Sequence, residues 1–368
     1  MERENIPSRG ASGAEKKLEQ RDIHFAYSES APSLLAELKS SLLISTYLTG
    51  NLVSVSQRNG RIVPTFHTFD RPMGVAVKDN GIAVGTRNQV WFLRSAPDIA
   101  AKLEPNGRYD ASFLARYAHF TGDIRCHDIA WVGKELWIVN TLFSCLCSLH
   151  PSYNFAPRWR PSFVSDLVPE DRCHLNGLAT AEGQPRYVSV MAETNSHHGW
   201  RDVKKTGGCL IEVANSTTIA RGLTMPHSPR LLQGKLYFLH SGLGRLETVN
   251  PANGQRDVVC ELPGYTRGLA ISGSLAFVGL SKIRVTSSDW NGVPIAIQPE
   301  QLKCGVWVVD LNKGTIVCTF EFTSGVDELF DVQLMPGVSF PYLSGPLEEH
   351  PLWTVMPTRR SDTVRDYI

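Results

Sequence analysis

The sequence predicts an all-β fold, a six-bladed β-propeller with four strands in each blade. Three observations support this prediction: one strand pattern recurs at blade-sized intervals, further strands follow most copies, and the chain begins without a first strand. Repeats of about 40–50 residues that contain several short strands are typical of propellers. Arranging such units in a closed ring removes most of the exposed sheet edges that separate blades would have.

Six short segments share the recurring pattern, in which a polar or turn-compatible pair precedes a compact, mostly apolar strand. Successive copies begin 39–63 residues apart. Apolar runs bounded by Gly, Asn and Asp are typical of strands. We interpret the segments as the innermost strands of six blades: Met73–Val77, His127–Trp131, Asn176–Ala179, Ser228–Leu232, Arg267–Ile271 and Phe330–Leu334.

A second and a third strand follow each of the first five segments. Asn-Gly pairs at 59–60 and 253–254 indicate hairpins that lead from third to fourth strands. The second strands are Ile82–Gly85, Leu136–Val139, Tyr187–Val190, Leu236–Leu239 and Leu275–Val278. The third strands are Val90–Leu93, Cys145–Ser148, Cys209–Glu212, Leu246–Val249 and Val306–Val309.

The two ends of the repeat predict how the ring closes. Residues 41–69 look like strands two, three and four of a blade that lacks its first strand. The last inner strand, Val332–Leu334, has little after it, so we expect it to pair beside Leu42–Tyr47 and complete that blade. The predicted organisation is a leader at 1–32 without fixed structure, a propeller at 33–345 and a C-terminal tail at 346–368.

Composition excludes several classes of function. The chain has 37 basic and 36 acidic residues and a net charge of +1, which gives no electrostatic footprint for nucleic acid. No apolar run approaches the ~20 residues of a membrane span, and the first residues lack the apolar core of a secretory signal. We therefore expect a cytoplasmic protein with no membrane or nucleic-acid partner. In that compartment its eight cysteines would be reduced.

Propeller geometry predicts which polar residues share one mouth of the central channel. Loops that lead into each first strand, and loops between second and third strands, open on the same face. Two long loops of the second kind carry Trp200 and Trp290, which could cover a ligand. The candidate site is His127, His174, Asn176, Glu193, His227 and Arg267, with Arg230, Trp200 and Trp290 as additional substrate-binding residues.

Three interpretations of this constellation remain open. His127, His227, Asn176 and Glu193 could hold one divalent metal ion. Without a metal, the histidines His127 and His227 could work with Glu193 as acid and base while Arg267 holds a carboxylate or phosphate. Alternatively, the polar groups only line the channel and bond one another and water.

The function these residues favour is the binding of a small molecule or peptide at the channel mouth. The chemistry would be that of a hydrolase, lyase or isomerase. The alternative is a non-catalytic protein-interaction platform, or an accessory partner of a biosynthetic enzyme. We expect a monomer or a weak oligomer.

Several stretches resemble a bacterial family of conserved hypothetical proteins, a domain of unknown function predicted to be a propeller. They span roughly residues 36–341 and include SLLISTYLTGNLV, FDRPMGVAV, PEDRCHLNGLA, ARGLTMPHSPR, LPGYTRGLA and FEFTSGVDELFDVQLMPGV. The resemblance implies the fold and no particular reaction. Asn176-Gly177-Leu178 is also similar to a loop of gluconolactonase and regucalcin-like six-bladed enzymes, which implies one divalent ion at the mouth with Asn176 among its ligands.

Overall fold

The repeated strand pattern folds into six sheets, and the four antiparallel strands in each form one blade of a propeller. The structure is a computed structural model that describes residues 22–78, 81–103, 105, 107–283, 292–348, 352 and 354. In each sheet the innermost strand lies at the central axis and the following strands lie progressively further out. The predicted fold class is confirmed, and the six segments recognised in the sequence supply the six inner strands.

The blades are numbered along the chain. Blade 1 contains β25 (Asp331–Pro336), β2 (Ser40–Thr46), β3 (Asn51–Arg58) and β4 (Arg61–Thr68). Blade 2 contains β5 (Val75–Lys78), β6 (Gly81–Gly85), β7 (Gln89–Ser95) and β8 (Ala111–Phe120). Blade 3 contains β9 (Cys126–Val132), β10 (Glu135–Asn140), β11 (Cys145–His150) and β12 (Tyr153–Trp159).

The remaining blades follow the same order from the axis outward. Blade 4 contains β13 (Leu175–Ala181), β14 (Gln184–Val190), β15 (Gly208–Glu212) and β16 (Thr217–Leu223). Blade 5 contains β17 (Pro226–Leu232), β18 (Lys235–His240), β19 (Arg245–Val249) and β20 (Arg256–Glu261). Blade 6 contains β21 (Tyr265–Ser272), β22 (Leu275–Ser281), β23 (Gly305–Asp310) and β24 (Thr315–Ser324).

Short helices connect or flank the strands. The described α-helices are α1 (Ala31–Glu37), α2 (Pro97–Ala100) and α3 (Trp200–Val203). The 3-10 helices are Ser241–Leu243, Pro294–Ile297 and Pro299–Gln301. None of the described helices is long and apolar enough to span a membrane.

The ring closes as predicted, by pairing the two ends of the propeller. In blade 1, Leu42 lies opposite Leu334 and Ile44 lies opposite Val332. Ile44 and Val332 are completely buried in a core cluster that also contains Phe322 of blade 6. Blade 1 needs both segments, because either one alone would leave its sheet incomplete.

Two further strands extend the blades beyond the predicted four. Strand β1 (His24–Tyr27) pairs with the outer edge of β24, and its Phe25 packs on Phe320. Strand β26 (Pro341–Ser344) runs parallel to β8. Strand β1 therefore lies within the span predicted as a leader, and its four residues are exposed. At the other end of the propeller, Glu348, in the span predicted as a tail, contacts His67 at 3.4 Å. Residues 1–21 are not among the described residues.

Inner strands alternate between two types around the ring. Blades 2, 4 and 6 begin this strand with a glycine that lies against the backbone of the following blade. A Cβ added at Gly268 would come within 2.6 Å of the Val332 nitrogen. Blades 1, 3 and 5 carry a polar side chain that accepts a hydrogen bond from a backbone N–H of the next blade. Asp331 accepts from Val75 at 2.9 Å, Asp128 from Leu178 at 3.0 Å and Ser228 from Gly268 at 3.1 Å.

Hydroxyl groups at the end of the second strand bind consecutive blades together. Each donates a hydrogen bond to a carbonyl oxygen at the start of the next inner strand. Four junctions have this bond: Ser45 to Met73, Thr141 to Leu175, Ser241 to Thr266 and Ser281 to Leu329. These bonds lie at the same face of the disc as the loops that carry the candidate site, and they join neighbouring blades there.

Candidate functional site

A cavity of about 470 Å³ lies at the mouth of the channel, where the loops into the first strands open. Five of the predicted site residues line it: His127, His174, His227, Arg267 and Trp200. Tyr47, Met73, Met191, Met225 and Phe330 give the wall an apolar part. The predicted convergence therefore holds for these five residues, which come from blades 3, 4, 5 and 6 and from the long loop after β14.

The ring of His127 is fixed by two hydrogen-bond acceptors at the same nitrogen. Its Nδ1 lies 3.0 Å from the Arg125 carbonyl oxygen and 2.9 Å from the Thr141 hydroxyl. Thr141 already donates its proton to the Leu175 carbonyl at 2.6 Å, so its oxygen acts as an acceptor toward the ring. Nδ1 must carry the hydrogen, and Nε2 of the neutral ring carries the lone pair.

His227 repeats this arrangement one hundred residues later, in blade 5. Its Nδ1 lies 2.9 Å from the Met225 carbonyl and 2.9 Å from the Ser241 hydroxyl. Ser241 donates its own proton to the Thr266 carbonyl at 2.5 Å. The hydroxyl that binds the blades together therefore also sets the tautomer of a cavity histidine, in blade 3 and again in blade 5.

Both histidines are held in the neutral form. Burial lowers the pKa of His127 well below its usual value, and His174 and Arg267 lower it further. Burial likewise lowers the pKa of His227, with Arg267 as the next cause. The cavity thus presents two neutral imidazoles, whose Nε2 atoms can accept hydrogen bonds from a ligand.

These shifts predict a loss of stability in acid. The unfolded chain binds a proton at each histidine as the pH falls below about 6.5, whereas the folded protein does not, so the free energy of unfolding decreases there. We expect the double variant H127N/H227N to reduce this decrease by up to ~1.4 kcal/mol per pH unit and per histidine. Urea unfolding between pH 5 and pH 8 measures the effect.

The pH profile of the variant must be compared with that of wild type, because the ionisation of Asp331 changes the free energy of unfolding in the opposite direction. Burial raises the pKa of Asp331 to about 7, and Asp128 adds to the shift, so this carboxyl contributes stability that is lost as the pH rises through 7. His24→Asn, on an exposed strand outside the cavity, is the control for a histidine-to-asparagine substitution. Parallel profiles for H127N/H227N and wild type would contradict the neutral, buried histidines.

Phe330 occupies the third position equivalent to His127 and His227. It precedes Asp331 in blade 1 as the histidines precede Asp128 and Ser228 in blades 3 and 5. The Arg267 guanidinium lies 3.4 Å from the centre of its ring, a cation–π contact. The Phe330 ring therefore contacts the Arg267 guanidinium at the position that corresponds to His127 and His227.

Arg267 is the most deeply placed cation of the cavity wall. Its side chain is 13% exposed, and Glu328 approaches one of its nitrogens at 3.5 Å. Burial lowers the pKa of Arg267, while Glu328 opposes the shift; arginine nevertheless stays charged in proteins. A guanidinium that is held on a ring and open to a cavity is a typical bidentate binder of carboxylate or phosphate.

His174 differs from the other two histidines because it has a carboxylate partner. Its Nδ1 lies 3.0 Å from each carboxylate oxygen of Asp171, whose side chain is fully buried. Arg125 donates to the same carboxylate at 2.6 Å. Asp171 is not among the site residues predicted from the sequence, although its position three residues before His174 in PEDRCH was the signal that could have revealed it.

Two predicted site residues, Glu193 and Asn176, do not line this cavity. Glu193 follows β14 and is exposed, and its carboxylate accepts a hydrogen bond from Arg221 at 2.8 Å. The residue before it, Ala192, is buried. The Asn176 amide is buried and donates to the Pro226 carbonyl at 3.2 Å, between blades. Trp290 lies outside the described residues.

Arg230 lies at the opposite mouth of the channel. It follows His227 by three residues along β17, which at ~3.3 Å per residue moves it about 10 Å through the disc. There it lines a second cavity of about 620 Å³ and contacts the Asp128 carboxylate at 3.3 Å. It therefore belongs to the channel floor and is not a neighbour of the histidines.

The predicted metal set does not come together. Glu193 is committed to Arg221, and the Asn176 amide is committed to a backbone carbonyl, which leaves His127 and His227 without their expected oxygen ligands. Among the described residues, no group of three or more His, Cys, Asp and Glu side chains is spaced to hold a metal ion. The described residues therefore do not fit the predicted metal site.

Comparison with known proteins supports the fold and defines the family. The structure is similar to a chain in the crystal structure of a nidogen/laminin complex, with 12% identity, a TM-score of 0.53 and coverage of 81% of this chain and 99% of that one. It is also similar to a protein of unknown function from Bacteroides caccae, with 9% identity, a TM-score of 0.48 and coverage of 80% and 98%. No curated protein matches. The family described as "Domain of unknown function (DUF4915)" matches residues 29–343, so the chain belongs to this family.

Proposed function

We propose that the chain binds a small anionic molecule, a carboxylate or a phosphate compound, in the cavity at the channel mouth. The observation that carries the proposal is the Arg267 guanidinium, which is buried on the Phe330 ring and open to the cavity. A volume of about 470 Å³ is within the usual range for small-molecule sites.

The charge of the wall favours an anion. Among the described residues, six basic side chains line the cavity against three acidic ones. A concave wall with an excess of one charge concentrates ligands of the opposite charge. The basic residues are Arg71, Arg87, Arg125, Arg201, Arg267 and Lys282, and the acidic ones are Asp123, Asp327 and Glu328.

Neutral hydrogen-bonding groups add selectivity beside the charges. The Nε2 atoms of His127 and His227 can accept hydrogen bonds from ligand hydroxyl groups. The indole N–H of Trp200 is buried and has no hydrogen-bond partner among the described residues. A small anion that also carries a hydroxyl group suits this combination best.

Calorimetric titration at low ionic strength tests the proposal with three probes: inorganic phosphate, malate and 2-oxobutyrate. We expect at least one to bind to wild type with one site per chain. R267M should weaken that binding about 10- to 100-fold, because a charge-assisted pair contributes roughly 1.5–3 kcal/mol.

The control is R245M, which removes an arginine of blade 5 that pairs with exposed Glu261 at 2.7 Å, away from the cavity. This variant should bind as wild type does. The proposal fails if no probe binds, or if folded R267M and R245M bind equally well.

A further inference from the structure

A network centred on the buried Asp171 lies behind the cavity wall. Its carboxylate is contacted by Arg125 at 2.6 Å, by Nδ1 of His174 at 3.0 Å and by Nδ1 of His198 at 3.5 Å. Burial opposes its charge, but His174 and then Arg125 and His198 outweigh burial and lower the pKa of Asp171. Asp171 is therefore a fixed carboxylate that accepts the Nδ1 proton of His174.

The backbone of this network is strained at every member. Arg125, Asp171, His174 and His198 have φ values of 53°, 49°, 50° and 51°, in the left-handed region that non-glycine residues seldom adopt. Such conformations cost of order 1 kcal/mol each and are concentrated at functional sites. Four of them around one carboxylate indicate that the arrangement is maintained against local preference.

The imidazole of His174 is also held from both sides at the cavity. It packs on the Trp200 ring at 4.3 Å and meets the ring of His127 edge-on at 4.8 Å. With Nδ1 committed to Asp171, Nε2 is the nitrogen that can take a proton from a ligand. A buried carboxylate at Nδ1 stabilises the imidazolium that would form, as in the dyad of many acid–base sites.

The environments of the three cavity histidines separate their roles. Nδ1 of His127 and of His227 contacts only uncharged acceptors, so nothing at that nitrogen compensates a positive ring. His174 alone of the three has an anion there. Proton transfer to His174 is favoured because its counter-charge is already in place.

The described wall offers no free serine, threonine or cysteine for covalent chemistry. Cysteine and threonine are absent from the described lining, and its serine, Ser281, is bonded to Leu329 through both its donor and its acceptor functions. Acyl-enzyme hydrolysis is therefore disfavoured. The excess of cations instead suits a reaction that develops negative charge, such as an enolate.

We infer that His174 is a general base, positioned by Asp171, for a small carboxylate that carries a C–H bond next to a carbonyl group. This inference rests on the proposed function, with the carboxylate on Arg267. His174 Nε2 takes the proton, the C–H electron pair becomes the enolate, and Asp171 remains a carboxylate throughout. Return of the proton to the same or another carbon completes exchange or isomerisation.

Exchange of the C3 protons of 2-oxobutyrate and pyruvate in D₂O, followed by ¹H NMR with the full chain, tests this inference. Wild type should exchange these protons for deuterons, and H174Q should slow the exchange about 100-fold, the usual contribution of a general base. D171N should slow it less and move the half-maximal rate to lower pH, since the anion that stabilises the imidazolium is gone.

H24Q is the matched control, because His24 lies on the exposed strand β1 and does not line the cavity. It should retain most of the exchange rate. Binding of an oxo acid that depends on Arg267 but brings no exchange overturns the inference and leaves the proposed function standing. The same applies if phosphate binds at Arg267 and the oxo acids do not react; absence of all anion binding overturns both.

Discussion

Replacing Arg230 with methionine is expected to destabilise the protein by about 3–5 kcal/mol, the usual cost of leaving a buried charge without its partner. Arg230 donates to the Asp128 carboxylate at 3.3 Å and to the Leu269 carbonyl at 3.0 Å. Asp128 and Asp331 are both buried, and burial followed by Asp128 raises the pKa of Asp331 to about 7. Without the guanidinium, two coupled carboxylates would face each other across the channel.

Urea unfolding of R230M against R221M measures this effect with a matched control. Arg221 pairs with Glu193 at 2.8 Å, but its side chain is 64% exposed, so its loss should cost less than ~1 kcal/mol. Adding Asp128→Asn to R230M should recover part of the stability, because it removes one of the orphaned charges. Equal stabilities of R230M and R221M would show that Arg230 does not hold the channel floor together.

Gly268→Ala should weaken the junction between blades 6 and 1 by about 2–5 kcal/mol, the combined cost of a left-handed alanine and of overpacking. Gly268 has a φ of +82°, and an added Cβ would lie 2.6 Å from the Val332 nitrogen. Val332 belongs to the strand that closes the ring, so the clash acts on the closure itself. The backbone of one blade or the other must move.

Gly273→Ala supplies the control for this prediction. Gly273 also has a positive φ, +56°, but an added Cβ there meets nothing within 4 Å. It should cost only the conformational part, about 1–2 kcal/mol. The account of the blade junction would be contradicted if urea unfolding gave the two alanine variants the same stability.

The blades and the ring closure could be predicted because each depends on a repeated local pattern. Every inner strand repeats a polar or turn-compatible pair followed by a mostly apolar run, and the missing first strand at residue 41 left one place for Val332–Leu334. Strands β1 and β26 could not be foreseen, since they are short edge strands defined by what they cover. The packing of Phe25 on Phe320 depends on the position of β24 in blade 6, which the sequence around residue 25 does not indicate.

The candidate site was predictable where loop position alone decides it. His127, His227 and Arg267 enter the mouth because they begin inner strands on one face. Glu193 and Asn176 could not be placed in this way, because their orientation depends on which neighbour takes the side chain, Arg221 in one case and Pro226 in the other. Asp171 belongs to the site through its contact with His174, which the repeated strand pattern does not indicate.

A crystal structure of the full chain in the presence of selenate tests the central claim most directly, because selenium gives an anomalous signal that identifies the bound anion. We expect a peak in the mouth cavity at hydrogen-bonding distance from the Arg267 guanidinium, and its loss in R267M crystals of the same form. Selenate bound only outside the cavity, or bound in it equally well without Arg267, would contradict the assignment of this mouth as an anion site.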